Sequence, residues 1–182
     1  LANFLFVGPT SVGKTHTAKS IAKHFYGSDK AFMQINMGEY QDKTGISKLI
    51  GANAGYVGYD EGGLLTEFVR NHPNSVILFD EIEKADPKIL DLLLHLLDEG
   101  YVSDNLNRKI DFSKSVVILT TNIGNNEAKS RVMGFIGDKT EEDTIYKEAL
   151  KKTLRPELIA RIDNIHVFKD LDDEVIRSII NR

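Results

Sequence analysis

The sequence predicts an α/β fold: a parallel sheet with helices on both faces. Three observations carry that expectation. Apolar runs of strand length alternate along the chain with segments of helical periodicity. The runs are nearly continuous in apolar residues, as strands buried on both faces must be. A glycine-rich loop ending in Gly-Lys-Thr joins the first run to the first helical segment.

The elements follow in order. Residues 4–7 read as the first strand. Residues 13–25 read as a helix that places Ala18, Ile21, Ala22 and Phe25 on one face. Residues 31–35 form the second strand. Residues 51–63 hold five glycines and two tyrosines and read as a mobile loop. The third strand is 76–79. After it, Asp86 is suited to cap a helix, with Pro87 at its first position and Gly100 just past its end, around the apolar run ILDLLLHLL. The fourth strand is 116–119, and the polar stretch 122–142 reads as a long exposed connection. Thr140 with Asp143 resembles a capping box at the start of a helix carrying Ile145, Ala149 and Leu150. A short strand at 165–168 and a helix capped by Asp172, bearing Val175, Ile176, Ile179 and Ile180, complete the series.

Composition limits the function. A chain of 182 residues suits one domain with a sizeable core. A net charge of −4 argues against nucleic-acid binding by bulk charge. The absence of cysteine excludes disulfides, zinc knuckles, iron–sulfur clusters and a thiol nucleophile. No apolar run approaches the roughly 18 residues of a membrane span. The opening LANFLFVG has neither a basic region nor a small-residue cleavage site, so it does not read as a signal peptide. With no initiator Met, the chain reads as a piece of something longer.

The chemistry concentrates in two places. Gly8-Pro9-Thr10-Ser11-Val12-Gly13-Lys14-Thr15 matches the phosphate-loop pattern G-x-x-x-x-G-K-[ST], in the strand–loop–helix setting the pattern requires, with His16 following. Its glycines let successive N–H groups face one anion, and the helix start adds its positive dipole end. Lys14 supplies charge to the β- and γ-phosphates of a nucleotide, and the Thr15 hydroxyl is a ligand for Mg²⁺. The second place is SVILFDE, where a buried strand ends in Asp80 and Glu81 at the carboxyl edge of the sheet. Asp80 is the second candidate for Mg²⁺, and Glu81 is placed to polarise an attacking water.

The runs GYVGYDEGGLLTEFVR and VILFDEIEKADP resemble the AAA+ family, and more narrowly the second ATPase ring of the Clp unfoldases and disaggregases. The resemblance extends from LANFLFVGPTSVGKT to LRPELIARIDNIHVF. It implies a five-stranded parallel sheet flanked by helices, the P-loop NTPase large subdomain, over 1–170, with 171–182 beginning a helix toward a small subdomain. It also implies ATP held between neighbours in a homo-hexamer. Asn122 corresponds to the sensor that orients the attacking water. Arg161 corresponds to the arginine finger that reaches a neighbour's phosphate, with Arg155 in the same motif and open to a structural role. Gly55-Tyr56-Val57-Gly58 matches the pore loop that grips unfolded polypeptide, and 101–112 resembles a hairpin carrying a second pore loop. Met133-Gly134-Phe135 occupies the place of the tripeptide with which protease-coupled relatives dock on a Clp-type peptidase ring, with Met in place of the usual Ile, Val or Leu. Ser11 stands where the family usually has Gly.

The resemblance therefore implies an ATP-driven unfoldase, the ATPase subunit of a compartmental protease, in the cytoplasm. A disaggregase with the same motor and no peptidase is the alternative. A DNA-associated AAA+ module is a third, against which the acidic balance and the GYVG loop weigh; nucleic-acid and membrane partners are not expected. The fragment alone is expected to bind nucleotide weakly and to hydrolyse little ATP. The five histidines show no metal-ligand spacing, and the EKADPK and DKTEED clusters read as solvated faces.

Overall fold

The computed structural model describes residues 1–42, 44–52, 55, 62–125, 139–171 and 177. Five strands, β1 (Ala2–Val7), β2 (Phe32–Asn36), β3 (Val76–Asp80), β6 (Val116–Thr121) and β7 (Asn164–Val167), form one sheet. Their order is β2-β3-β6-β1-β7 and every pairing is parallel. Two short strands, β4 (Tyr101–Ser103) and β5 (Lys109–Asp111), make a separate antiparallel hairpin within the expected 101–112. The helices are α1 (Lys14–Tyr26), α2 (Gly45–Ile50), α3 (Leu64–Asn71), α4 (Pro87–Glu99), α5 (Lys139–Thr153) and α6 (Pro156–Ala160). The expected P-loop AAA+ sheet is therefore present, with its five strands.

Strand alternation divides the core into two layers. Leu5, Val7, Ile77, Phe79, Val117 and Leu119 point to one face, where Val69, Leu93 and Leu150 of three helices meet them. Phe6, Val76, Leu78 and Ile118 point to the other, where Ala18 and Ala22 of α1 cover them. The small residues on α1 let that helix lie close to the sheet, which holds its first turn beside the strand it follows.

The α4 boundaries follow the expected signals. The Asp86 carboxylate accepts the Lys88 amide at 2.8 Å, Pro87 opens the helix, and Gly100 closes it in the left-handed conformation. In α5, Ile145, Ala149 and Leu150 are buried as expected. The described helix already includes Lys139, so Thr140 stands within it rather than before it.

Three other expectations are corrected. Phe25 is 73 % exposed, not buried on the α1 face. The inward stripe runs Ala18, Ala22, Tyr26, and the Tyr26 hydroxyl donates to the Lys114 carbonyl at 2.9 Å, which turns Phe25 outward, its ring edge-on to His24. The short helices α2 and α3 replace part of what periodicity left unassigned; α3 buries Leu65 and Val69. At its described ends the stretch 122–142 is not an exposed connection: Gly124 is buried against Tyr146, and α5 has begun by Lys139; residues 126–138 lie outside the described residues. Most of the expected loop 51–63 and the helix after Asp172 lie outside the described residues.

Candidate nucleotide site

Strand register assembles the site. Val7 pairs with Thr121, Phe79 with Leu119, and Asn36 with Asp80. The carboxyl ends of β1, β3 and β6 therefore lie side by side, and the residues that follow them, Gly8, Glu81 and Asn122, emerge at one edge. This is where ligands bind in open parallel sheets.

The loop from Gly8 to Gly13 leads into α1. Gly13 caps that helix at φ 99, a left-handed conformation suited to glycine, and no side chain caps the first turn. The free N–H groups of a helix start are unsatisfied donors pointing along the axis. A side chain at Gly13 would meet nothing within 4 Å, so open space lies beside them. Lys14 is buried, and its ammonium donates to the Gly8 carbonyl at 2.5 Å, the Pro9 carbonyl at 2.6 Å and Asn122 Oδ1 at 3.1 Å. Burial holds its pKa below the ordinary lysine value, against the opposing pull of the Asp80, Glu83 and Glu81 carboxylates. Pro9 and Val12 are buried, Thr15 is half-buried, and Thr10, Ser11 and His16 are exposed.

Opposite the loop stand the carboxylates. Asp80 accepts the Gln34 amide at 2.9 Å and the Thr120 hydroxyl. Glu81 takes the left-handed conformation at φ 58, uncommon outside glycine, and its amide donates to the Thr120 oxygen at 3.1 Å. One Glu81 oxygen accepts Lys84 at 2.8 Å; the other lies 3.5 Å from Asn122 Nδ2. The Asn122 amide donates to Glu83 at 3.3 Å, and the second Glu83 oxygen, buried, has no hydrogen-bond partner among the described residues.

This set fits a magnesium nucleotide. Uncapped helix amides and a buried ammonium suit phosphate oxygens, and Asp80 with Thr15 supplies hard oxygen ligands for a divalent cation. The family described as the AAA domain (Cdc48 subfamily) matches residues 1–165. The chain belongs to that family. This AAA domain is 43 % identical over 187 residues to the ATP-dependent Clp protease ATP-binding subunit ClpC of Staphylococcus aureus (strain USA300), covering 99 % of the chain and 23 % of that relative. It is 44 % identical over 181 residues to the chaperone protein ClpB of Helicobacter hepaticus, covering 100 % of the chain and 20 % of that relative. Among solved structures it resembles Hsp104 in a closed-state reconstruction with ATPγS and FITC casein, with TM-score 0.88 and 37 % identity over 99 % of the chain and 31 % of that one. The Hsp104–ADP complex of S. cerevisiae is similar as well, with TM-score 0.86 and 36 % identity, over 99 % of the chain and 31 % of that one. The domain thus spans roughly a fifth to a quarter of the length of these curated relatives.

Within the AAA domain, Lys14, Asp80, Glu81 and Asn122 come together. Arg161 does not join them. It ends α6, pairs with Asp98 of α4, and lines a surface cavity with Asn3 and Asp163. Asn3 and Asp163 exchange hydrogen bonds at 2.9 and 2.7 Å near the amino end of β1, about 16 Å of strand from Gly8. Arg155 pairs with Asp91 at 2.7 Å, a contact that ties α6 to α4. Gly55 is an exposed turn residue; Tyr56, Val57 and Gly58 lie outside the described residues, as do Met133, Gly134 and Phe135.

Sequence reasoning missed Thr120, Gln34, Glu83 and Lys84. The last two belong to the EKADPK run expected to be a solvated face. The structure corrects this: Glu83 faces Asn122, Lys84 holds Glu81, and Asp86 caps α4. Their closeness to Glu81 in the chain was a usable signal. Thr120 carried none beyond its place two residues before Asn122.

Proposed function

We propose that this domain is the ATP-hydrolysing part of a motor that draws unfolded polypeptide through the pore of a homo-hexamer. We further propose that its parent protein serves a Clp-type compartmental peptidase in the cytoplasm. The observation that carries the motor reading is the meeting of Lys14, Asp80, Glu81 and Asn122 at one sheet edge, with Arg161 far from it.

Bound ATP with Mg²⁺ supplies the phosphoryl group and the positive charge that neutralises its oxygens. Lys14 and the α1 amides hold the β- and γ-phosphates. Asp80 and Thr15 would hold the cation. Glu81 accepts a proton from the attacking water through the oxygen nearest Asn122, which orients that water; the water oxygen bonds to the γ-phosphorus as the bond to the β,γ-bridging oxygen breaks, and ADP leaves with that oxygen. Arg161, out of reach of its own site, suits the neighbouring subunit's γ-phosphate, where it stabilises charge in the transition state. The segment carrying Gly55, Tyr56, Val57 and Gly58 grips polypeptide through an aromatic ring on a glycine-flanked backbone. Met133, Gly134 and Phe135 dock on the peptidase. The likeness to ClpB and Hsp104 favours a second reading, a disaggregase with the same motor and no peptidase.

The test uses the parent protein. Glu81→Gln retains ATP binding, and Glu81→Gln and Arg161→Ala each lose turnover alone. Mixed one to one, they recover up to about a quarter of wild-type hydrolysis, because about a quarter of the interfaces then combine the intact Glu81 of an Arg161→Ala subunit with the intact Arg161 of a Glu81→Gln subunit. Unimpaired hydrolysis by either variant removes that residue from its role, and failure to recover on mixing removes the shared site. Adding a compartmental peptidase and a stably folded fluorescent substrate separates the two outputs: loss of fluorescence with peptide release, or loss of fluorescence alone.

A further inference from the structure

The hairpin of β4 and β5 holds the chain at the entrance of the segment that carries Tyr56. Gly51 ends α2 at φ 100, a conformation that favours glycine. The Asn105 side chain fills the space where a Cβ on Gly51 would sit, its Cγ and Oδ1 both 2.5 Å from that position. The Asn105 amide donates to the Ile50 carbonyl at 3.0 Å, and its side-chain Nδ2 donates to the Ala52 carbonyl at 3.0 Å. One residue thus grips the backbone on both sides of Gly51.

The exit of the same segment is tied to the same hairpin. Gly63 packs on the backbone of Ile50 and Leu49 so closely that no side chain fits between them, which brings the two stems together. Glu67, one turn into α3, lies against Gly62 and pairs with Arg108 of the hairpin at 3.5 Å. Asp104 makes the hairpin turn stiff: its carboxylate accepts the Leu106 amide at 2.9 Å, the Arg108 amide at 2.8 Å and Arg108 Nε at 2.6 Å.

The hairpin also continues from the catalytic edge. Glu81 leads through the turn Ile82–Lys84 to α4, a helix of 13 residues and about 20 Å. Gly100 ends α4, and its carbonyl accepts the Phe112 amide at 2.8 Å at the foot of the hairpin. A turn, one helix and a backbone hydrogen bond thus lie between Glu81 and the foot of the hairpin that carries Asn105.

We infer that Asn105 is a positioning residue that couples this hairpin to the polypeptide-gripping segment, an inference that rests on the pore-loop reading of Tyr56. Movement of α4 and the hairpin during an ATP cycle pulls on the Ile50 and Ala52 carbonyls and turns the peptide units that enter the segment. When the side chain is lost, the stroke reaches the hairpin and slips there.

The test uses the full-length parent protein as assembled. Asn105→Gly keeps the amide bond to Ile50 and removes the side chain; Asn105→Asp keeps its shape against Gly51 and removes the donor to Ala52. Two quantities are read: amide hydrogen exchange in residues 45–52, and ATP consumed per molecule of a stably folded fluorescent substrate unfolded. Loss of one such bond predicts about five- to tenfold faster exchange in both variants. The coupling predicts a rise of about threefold or more in ATP consumed per substrate. Wild-type values of both quantities overturn the inference. Faster exchange with unchanged ATP per substrate leaves Asn105 only a structural bond and also overturns it. Tyr56→Ala in parallel isolates the reading beneath: abolished unfolding with unchanged 45–52 exchange supports it, and normal unfolding removes the pore-loop role and the coupling with it.

Discussion

Thr120 donates its hydroxyl to the Asp80 carboxylate, and the same oxygen accepts the Glu81 amide at 3.1 Å. A side chain on β6 thereby holds both acids at the end of β3. Glu81 needs such support, because its left-handed backbone at φ 58 is costly for a residue with a Cβ. Thr120→Val keeps the shape and β-branching and removes both hydrogen bonds. We expect steady-state ATP turnover of the parent protein to fall about tenfold, with Thr120→Ser within about threefold of wild type. Equal turnover in Thr120→Val and wild type is the result that removes Thr120 from the arrangement.

Asp104 gives a pH dependence with a definite sign. Burial pushes its carboxyl pKa up, but the Arg108 amide and guanidinium and the Leu106 amide together push it further down, below the usual 3.8. A carboxyl lowered in the folded state stabilises fully above its unfolded value and loses that contribution as pH falls through the lower folded value. Asp104→Asn should cost about 2–3 kcal/mol at pH 7, since it removes the shorter of the two ion pairs of Arg108 and the charged acceptor of the Leu106 and Arg108 amides. The gap between variant and wild type in denaturant melts should stay level from pH 7 to pH 5 and narrow below about pH 4. A gap that does not change with pH shows that the lost stability is packing rather than charge.

The exposed Phe25 and inward Tyr26 give a test of the α1 face. Phe25→Ser should leave stability within about 0.5 kcal/mol of wild type. Tyr26→Phe, which loses the bond to the Lys114 carbonyl, should cost about 1 kcal/mol. Thermal or denaturant melts rank the two; a larger loss for Phe25→Ser returns that ring to the core.

Much of the site is legible before folding. The phosphate loop is short-range: Gly8, Gly13, Lys14 and Thr15 lie within one turn and one helix start, so their spacing alone specifies an anion cradle. Asp80 and Glu81 are marked by the apolar strand before them, and α4 by Asp86, Pro87 and Gly100. The helices α2 and α3 were not legible, because six and eight residues carry too few turns for a periodicity to declare itself. Their stability comes from packing on each other and on the core.

The strand–helix alternation, the phosphate loop and the acids at the strand end can be read from the chain before it folds, because each is encoded by neighbours in the sequence. Folding adds that Thr120 supports Asp80, that Glu83 and Lys84 belong to the site, that Tyr26 displaces Phe25, and that Asn105 reaches across to Ile50 and Ala52. Those contacts join residues on different strands, helices and loops. Parallel register and helix rotation set them, and both are fixed by burying the two faces of the sheet at once, a condition no local stretch of sequence contains.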